Sequence, residues 1–324
     1  MNKSNQSLAV AKTSSRIPNH PASRNKAGKN FKKNWQLYVL ISPVIVYFFV
    51  FHYLPLYGIQ IAFKNFIATK GIWGSPWIGF DHFERFFNSY YFGLLIRNTL
   101  GISLYNLALG FATPIILALM INEVSSKWFK RIVQTVTYAP HFLSTVVVVG
   151  LLFIFLSADK GIVNHIIQLF NGNPVSFMTE PAWFKTVYVF SEVWQQMGWS
   201  SIIYLAALAG VDPMQLESAK MDGASRLQRI WHVNLPGILP TITILFILNT
   251  GSIMSIGFEK IYLMQNSLNL ESSDIISTYV YRSGILGSQY SFTTAVGLFN
   301  QVINFILLIS VNRISRKFSE TSLW

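Results

Sequence analysis

The stretch ESAKMDGASRLQRIWHVNLP, residues 217–236, lies between two long apolar segments and predicts a loop of two short helices at a membrane surface. Just before it, Asp212 and Pro213 are residue types favoured at an N-cap and at the first helical position. Gln215 stands where a capping-box partner would. Gly223 is expected to end the first helix, because glycine bends a chain tightly at little steric cost.

A second short helix is predicted from Ser225 to about His232, with Pro236 closing the loop. The pattern Glu-x-Ala-x-x-Asp-Gly-Ala, then a run ending in Val-x-Leu-Pro, resembles the EAA loop of binding-protein-dependent ABC importers. In that family the loop belongs to the membrane-spanning permease and forms the coupling helix, which docks into a groove on the ATPase subunit. An ordinary amphipathic cytoplasmic loop is the alternative. The resemblance assigns the coupling role to Glu217, Ser218 (in place of the usual second Ala), Ala219, Asp222, Gly223, Ala224, Leu235 and Pro236.

The composition indicates a membrane protein with several spans. The 324 residues are 52% apolar and 12% charged, whereas soluble domains carry about 25% charged residues. The absence of cysteine excludes disulfides, thiolate metal sites and cysteine nucleophiles. The sequence has no GxxxxGK[ST] phosphate loop and no close histidine pair, so neither a nucleotide site nor a metal site is predicted. The net charge of +12 is spread between apolar blocks, which indicates membrane topology rather than nucleic-acid binding.

Six apolar segments predict an all-α membrane protein with six transmembrane helices, since a bilayer requires about 20 residues per span. The predicted spans are about 35–63, 98–121, 131–156, 185–209, 237–264 and 291–313. The predicted organisation is a disordered basic tail (1–34), the first span with an external segment (35–97), a transport core of five spans that includes the loop 210–236 (98–313), and a C-terminal tail (314–324).

The distribution of positive charge predicts the orientation. Six spans put both termini on one face, and that face then holds 17 of the 25 Lys and Arg residues. We therefore expect both termini and the loop 210–236 in the cytoplasm, where an ATPase would lie. The resemblance implies that the membrane is the inner membrane of a bacterial cell.

Polar and aromatic residues at bilayer depth are candidates for a sugar path. Amides can bond sugar hydroxyls and rings can cover the apolar faces of pyranoses, while a carboxylate in lipid is costly unless it faces water or a partner. The alternative is that these residues hold helices together. Nearer the outer ends, Glu259, Lys260, Arg282 and Tyr290 are expected at a gate, at a docking surface or in solvent. The path candidates are Glu192, Trp194, Gln195, Gln196, Trp199, Asn249, Ser252, Asn300, Gln301 and Asn304.

Over residues 35–324 the chain resembles permeases of carbohydrate importers of the type I architecture, within them a subgroup that handles oligosaccharides or polysaccharide fragments. Importers of alginate oligosaccharides belong to this subgroup, and the length of the chain suits their larger permease. The resemblance is carried by SPVIVYFFVFHYLPLYGIQIAFKNF (42–66), GWSSIIYLAALAGVDPMQLESAKMDGAS (198–225) and SRKFSETSLW (315–324).

The resemblance also implies the partners. They are a second homologous permease, two ATPase subunits that use ATP and Mg, and an external solute-binding protein that delivers the oligosaccharide. The chain itself would bind no cofactor, do no covalent chemistry, and contact membrane lipid but no nucleic acid. The residues alone leave open a stand-alone secondary transporter driven by a proton gradient, with Glu192 as the relay. A membrane-bound enzyme is a third class, for which the sequence lacks clustered acids, bases or metal ligands.

Overall fold

The computed structural model describes residues 34–318 and 322–323. Within these two ranges every regular element is a helix, apart from an isolated antiparallel bridge between Lys64 and Trp77. The prediction of an all-α fold is therefore confirmed. The predicted basic tail lies outside the described residues except for Asn34.

The chain divides at Gly58 into two units. The described part of the first unit is an apolar helical stretch that begins with α1, Trp35–Phe48, and continues through a π-helical turn, Phe49–Tyr53. This wider turn directly precedes Pro55, where an α-helix would bring the proline ring against the carbonyl four residues earlier. No side chain in α1 or in this turn is buried, as expected of a helix surrounded by lipid or by a partner.

The second unit contains the remaining helices. They are α2 (Asp81–Phe87), α3 (Tyr90–Glu123), α4 (Lys127–Tyr138), α5 (Thr145–Phe155), α6 (Ile162–Leu169), α7 (Pro181–Leu208), α8 (Pro213–Met221), α9 (Arg226–Gly251), α10 (Phe258–Met264), α11 (Ile276–Val280) and α12 (Tyr290–Phe318). Shorter helical turns of this unit lie at Ala68–Lys70, Gly71–Gly74, Ala139–Phe142, Leu270–Ser273 and Tyr281–Leu286, while Leu54–Leu56 lies in the first unit and Tyr57–Phe63 begins there.

Four helical stretches of the described chain are long and apolar enough to cross a membrane. They correspond to the predicted first, second, fifth and sixth spans and are Trp35–Phe63, Tyr90–Glu123, Arg226–Gly251 and Tyr290–Lys317. Helix α7 occupies the predicted fourth span and contains the polar segment SEVWQQ, and it is not among these four. The count of six spans stays a prediction.

The structure corrects the bounds of two predicted spans. The predicted third span, 131–156, is not one straight helix, because its two parts are bent by 100°. The first part ends at Phe142 and the second begins at Thr145, and the Ser144 side chain caps α5 by accepting from the Val147 amide. The predicted fifth span, 237–264, is also interrupted. It ends at Gly251, and α10 begins seven residues further along the chain.

Small residues allow the helices of the second unit to pack closely. Helices α3 and α7 pack together more extensively than any other described pair. Gly198 of α7 lies against the backbone of Thr137 near the end of α4, where an added Cβ would overlap the Thr137 carbonyl oxygen. Gly251 similarly lies against the side chain of Leu308 on α12. Close approach at small residues is a common basis of helix packing in membranes.

Three apolar clusters surround the middle of the second unit. The first joins α3, α5, α7 and α10, the second joins α2, α3, α11 and α12, and the third joins α3, α7 and α9. Their fully buried side chains include Tyr188 and Ile261, Phe86 and Val296, and Ala118 and Ile238, respectively. A polar cavity lies among these clusters, lined in part by residues that also pack against them.

We predict that Gly198→Ala destabilises the protein. The added methyl group would meet a backbone carbonyl, which cannot rotate away, so the cost should be about 1–3 kcal/mol, typical of overpacking. Gly150→Ala is the matched control, since Gly150 also lies in a helix but has no atom within 4 Å of an added Cβ. Thermal unfolding of both purified variants in detergent measures the effect. Equal melting temperatures for the two variants would contradict this packing.

Candidate functional site

Helix α8 of the loop 210–236 is capped at both ends. Asp212 accepts a hydrogen bond from the Met214 amide at 2.9 Å, which confirms the predicted N-cap. At the other end Gly223 has a φ of +78°, the left-handed conformation that favours glycine. The Gly223 amide donates to the Lys220 carbonyl at 3.1 Å, and the Ala224 amide donates to the Ala219 carbonyl at 2.9 Å. These two bonds form a Schellman motif, which fixes the turn after the helix.

The second half of the loop differs from the prediction in two respects. The capping box lies at Ser225 and Gln228, whose side chains accept reciprocally from each other's amides at 3.4 and 2.8 Å, and not at Gln215. In addition, Pro236 does not close the loop, because α9 runs through it without a break. A π-helical turn, Ile230–Asn234, precedes this proline and gives its ring the room that an α-helix would not.

Glu123, at the end of α3, anchors the loop to the helix bundle. Its carboxylate accepts from Arg229 Nη2 at 3.3 Å and from Asn234 Nδ2 at 3.2 Å. The same arginine donates through Nη1 to the Ala224 carbonyl at 2.8 Å. Glu123 was not predicted from the sequence. An isolated acid at the end of an apolar span was the only sign of it, and its partners lie more than 100 residues away in the chain.

The loop 210–236 exposes large apolar side chains in both of its halves. Four large apolar side chains are well exposed there: Met214, Met221, Leu227 and Trp231. Of the predicted coupling residues, Glu217, Ser218, Asp222, Gly223 and Pro236 are exposed, while Ala219, Ala224 and Leu235 are half-buried. A surface of this kind, next to charged groups, is typical of a protein–protein contact.

A cavity of about 310 Å³ lies between α3, α7, α9 and the segment that follows α9. It is lined by four of the predicted path residues, namely Glu192, Gln196, Asn249 and Ser252. A neighbouring cavity of about 260 Å³ shares Asn249 with it and is lined by Trp199. The two cavities follow α7 towards the loop 210–236.

Helix α3 contributes to the cavity two polar residues that were not predicted from the sequence. Ser103 and Asn106 line it, and the Ser103 Oγ and Asn106 Oδ1 atoms are buried without a hydrogen-bond partner among the described residues. Unpaired buried polar atoms are costly, so a ligand or a water molecule that reached these two would be stabilised there. Their spacing with Gly110, every three to four residues on an apolar helix, is a pattern that could have identified them.

The other predicted path residues do not line this cavity. The Asn304 side chain holds the segment after α9, accepting from the Met254 amide at 2.9 Å and donating to Ser255 Oγ at 2.8 Å. Asn300 is buried, Gln301 is exposed, and Trp194 lies in an apolar groove between α5 and α7. Gln195 is buried and donates to the Leu143 carbonyl at 3.1 Å. A role for these residues in the path stays a prediction.

A buried ion pair borders the cavity. Lys260 Nζ lies 2.9 Å from Glu192 Oε2 and also donates to Gln195 Oε1 at 3.3 Å. Lys260 was expected at a gate, at a docking surface or in solvent; because it is buried, only the solvent alternative is wrong for this residue. In the described ranges no three His, Asp or Glu side chains converge as metal ligands would.

Comparison with known proteins identifies a family and several relatives. Residues 110–320 match the family described as binding-protein-dependent transport system inner membrane component. The LplB protein of Bacillus subtilis (strain 168) is 45% identical over 293 residues, which cover 90% of this chain and 92% of the relative. The polygalacturonan/rhamnogalacturonan transport system permease protein YteP of the same organism is 44% identical over 288 residues, covering 89% of this chain and 90% of the relative.

Two solved structures are also similar over most of the chain. One is a bacterial alginate ABC transporter in complex with an alginate pentasaccharide-bound periplasmic protein. A chain of it has a TM-score of 0.85 and 42% identity, covering 91% of this chain and 99% of that chain. The other is a bacterial ABC transporter involved in the import of the acidic polysaccharide alginate, with a TM-score of 0.84 and 43% identity, covering 90% of this chain and 99% of that chain.

We predict that Gly223→Ala loosens the turn after α8, whereas Gly223→Asn is tolerated. Alanine is strained by about 1 kcal/mol in the left-handed conformation, and asparagine adopts it more readily. The amides of residues 223 and 224 should then exchange with solvent roughly fivefold faster in the alanine variant. Hydrogen exchange of the purified protein measures this, and unchanged protection in the alanine variant would rule out the capped turn.

Proposed function

We propose that this chain, which belongs to the family of binding-protein-dependent transport system inner membrane components, moves an acidic oligosaccharide into the cytoplasm of a bacterium. As a member of that family, it is the permease of an ATP-driven importer. The similarity to these proteins does not support the alternative functions of a stand-alone proton-coupled transporter or a membrane-bound enzyme.

The observation that carries the proposed substrate is the kind of polymer that the similar proteins handle. One importer takes up alginate, which is an acidic polysaccharide, and one relative belongs to a polygalacturonan/rhamnogalacturonan transport system. Polygalacturonan is, by its chemical name, also a polyuronate. The cavity of this chain offers hydroxyl and amide groups that suit sugar hydroxyls, including the unpaired Ser103 Oγ and Asn106 Oδ1.

Helix α8 is the element that we assign to coupling. Its capped ends make it a stiff unit, and Met221 and Leu227 offer an apolar contact on either side of the turn. ATPase subunits that bind and hydrolyse ATP with Mg would move this unit when they close and reopen. Glu217 and Asp222 are exposed and can make charge-assisted bonds across the contact, each worth roughly 1.5–3 kcal/mol.

Glu123 provides a route from the coupling loop to the sugar path. Through Arg229 and Asn234 it ties the loop to the end of α3, and α3 carries Ser103 and Asn106 into the cavity. A displacement of the loop therefore pulls on a helix that lines the cavity. This connection supports alternating access, in which the cavity faces the outside when the ATPases close and the cytoplasm after hydrolysis.

The full assembly that we propose contains a second homologous permease, two ATPases and an external solute-binding protein. The exposed apolar α1 and the apolar groove beside Trp194 are surfaces for lipid or for the second permease. Both termini are assigned to the cytoplasm, together with the loop 210–236, from the distribution of positive charge.

We predict that Met221→Asp uncouples the importer. A carboxylate at the centre of an apolar contact would lose its hydration, so ATPase binding and sugar-stimulated ATP hydrolysis should both fall at least tenfold. Leu169→Asp is the control, because Leu169 is similarly exposed but lies on α6, away from the loop. Co-purification of the ATPase and ATP hydrolysis of the reconstituted complex are measured. Wild-type behaviour of the Met221 variant would exclude this face of α8 from the contact.

We also predict that Asn106→Leu slows uptake without destabilising the protein. Asn106 Oδ1 has no partner in the described chain, so its removal costs no internal hydrogen bond. Loss of one neutral bond to the sugar is worth about 1 kcal/mol, or roughly fivefold in affinity. Asn304→Leu should behave oppositely and lower the melting temperature, because Asn304 makes two internal bonds. Uptake into proteoliposomes and thermal unfolding are compared, and undiminished uptake by Asn106→Leu would remove Asn106 from the path.

A further inference from the structure

Lys260 is a buried charged residue that belongs neither to the loop 210–236 nor to the lining of the cavity. Its side chain is only 4% exposed and bonds to Glu192 and Gln195, and its Nζ lies 5.8 Å from the centre of the Tyr188 ring. It stands on α10, the short helix after the interruption of α9. Lys260 does not itself line the cavity, so it lies behind Glu192 as a ligand in the cavity would meet them.

Glu192 gives the cavity its charge. Among the described residues that line the cavity it alone is charged, and its side chain is 25% exposed. The other lining groups that can contact a ligand are amides, hydroxyls and apolar side chains. An unpaired carboxylate there would repel the carboxylates of an acidic sugar over several ångströms, because the surrounding helices screen charge poorly.

A purely structural role does not explain why the pair is ionic. Bringing two charges out of water costs about as much as their attraction returns, so apolar residues of similar size usually stabilise a buried site as well. Glu192 is partly exposed, whereas Lys260 is buried behind it. This arrangement indicates instead that Lys260 controls the charge that a ligand meets.

We infer that Lys260 is a specificity-determining residue, whose ammonium group neutralises Glu192 so that the cavity accepts acidic oligosaccharides. Gln195 holds the ammonium group in place through a second bond. The balance of the two charges then sets the preference of the importer between acidic and neutral sugars. This inference rests on the proposed function.

The test uses the complete reconstituted importer with its binding protein. The probes are the free acid and the partly methyl-esterified form of an oligogalacturonate or an oligoalginate, whichever the parent importer takes up, supplied together. Uptake of the two forms is expressed as a ratio. Because the same binding protein serves every variant, its own preference cancels when variants are compared with the parent.

Three variants should shift this ratio in different directions. Lys260→Met leaves Glu192 unpaired and should lower the acid-to-ester ratio about tenfold, while Glu192→Gln leaves Lys260 unpaired and should raise it. The double variant Glu192→Gln/Lys260→Met, which has no charge at either position, should return the ratio to within about twofold of the parent.

The outcomes separate specificity from structure. Opposite shifts in the single variants and recovery in the double variant would support the inference. The inference would be overturned if the single variants reduced the uptake of both sugar forms in equal proportion. It would also be overturned if neither single variant shifted the ratio and the assembled double variant left it unchanged. If a single variant does not assemble, the other single variant and the double variant still give the comparison. A parent importer that takes up neither oligouronate would instead contradict the proposed function.

Discussion

A helix that is interrupted within a membrane must find partners for the backbone groups that it frees, because lipid supplies none. The second unit meets this requirement after Gly251, where α9 stops. Asn304 on α12 accepts from the Met254 amide and donates to Ser255 Oγ, and both of these groups lie in the interruption. The interruption itself lines the polar cavity, so one asparagine holds open the space that we assign to the sugar.

The same interruption sets the electrostatics of the cavity. Because the chain turns after Gly251, α10 packs against α7 and α5 in the first apolar cluster, and Lys260 reaches Glu192. Gly257 leaves room for the Tyr188 hydroxyl, which an added Cβ would displace. A continuous helix through this region would have carried Lys260 away from α7 and left Glu192 without its counter-ion. The cavity and its charge balance therefore depend on one break in one helix.

In the coupling role that we propose for the loop 210–236, force transmission would depend on stiffness at both ends of the loop. The turn after α8 is fixed by Gly223 and by the Schellman bonds, while α9 continues through Pro236 without a hinge because a π-helical turn accommodates the proline ring. Glu123 then fastens this arm to α3 through two bonds. A loop with a flexible joint at any of these places would absorb the motion of a docked partner before it reached the cavity.

The sequence by itself determined the features that depend on local chemistry. The apolar segments predicted an all-helical membrane protein, and the residues around Asp212 and Gly223 predicted the caps of α8, because caps depend on neighbours only a few residues away. The same holds for the polar character of the fourth span, which identified Glu192 and Gln196.

Only the tertiary structure decided which polar residues face one cavity. Asn304 and Asn249 look alike in the sequence, yet the first bonds to a neighbouring segment and the second lines the cavity. Ser103, Asn106, Glu123 and Lys260 acquire their roles from partners far away in the chain or from a shared cavity. The periodicity of an apolar helix does not tell lipid from a neighbouring helix, since both are apolar. The sequence also did not predict the bend after Phe142 or the break after Gly251, because hydropathy continues across a change in direction.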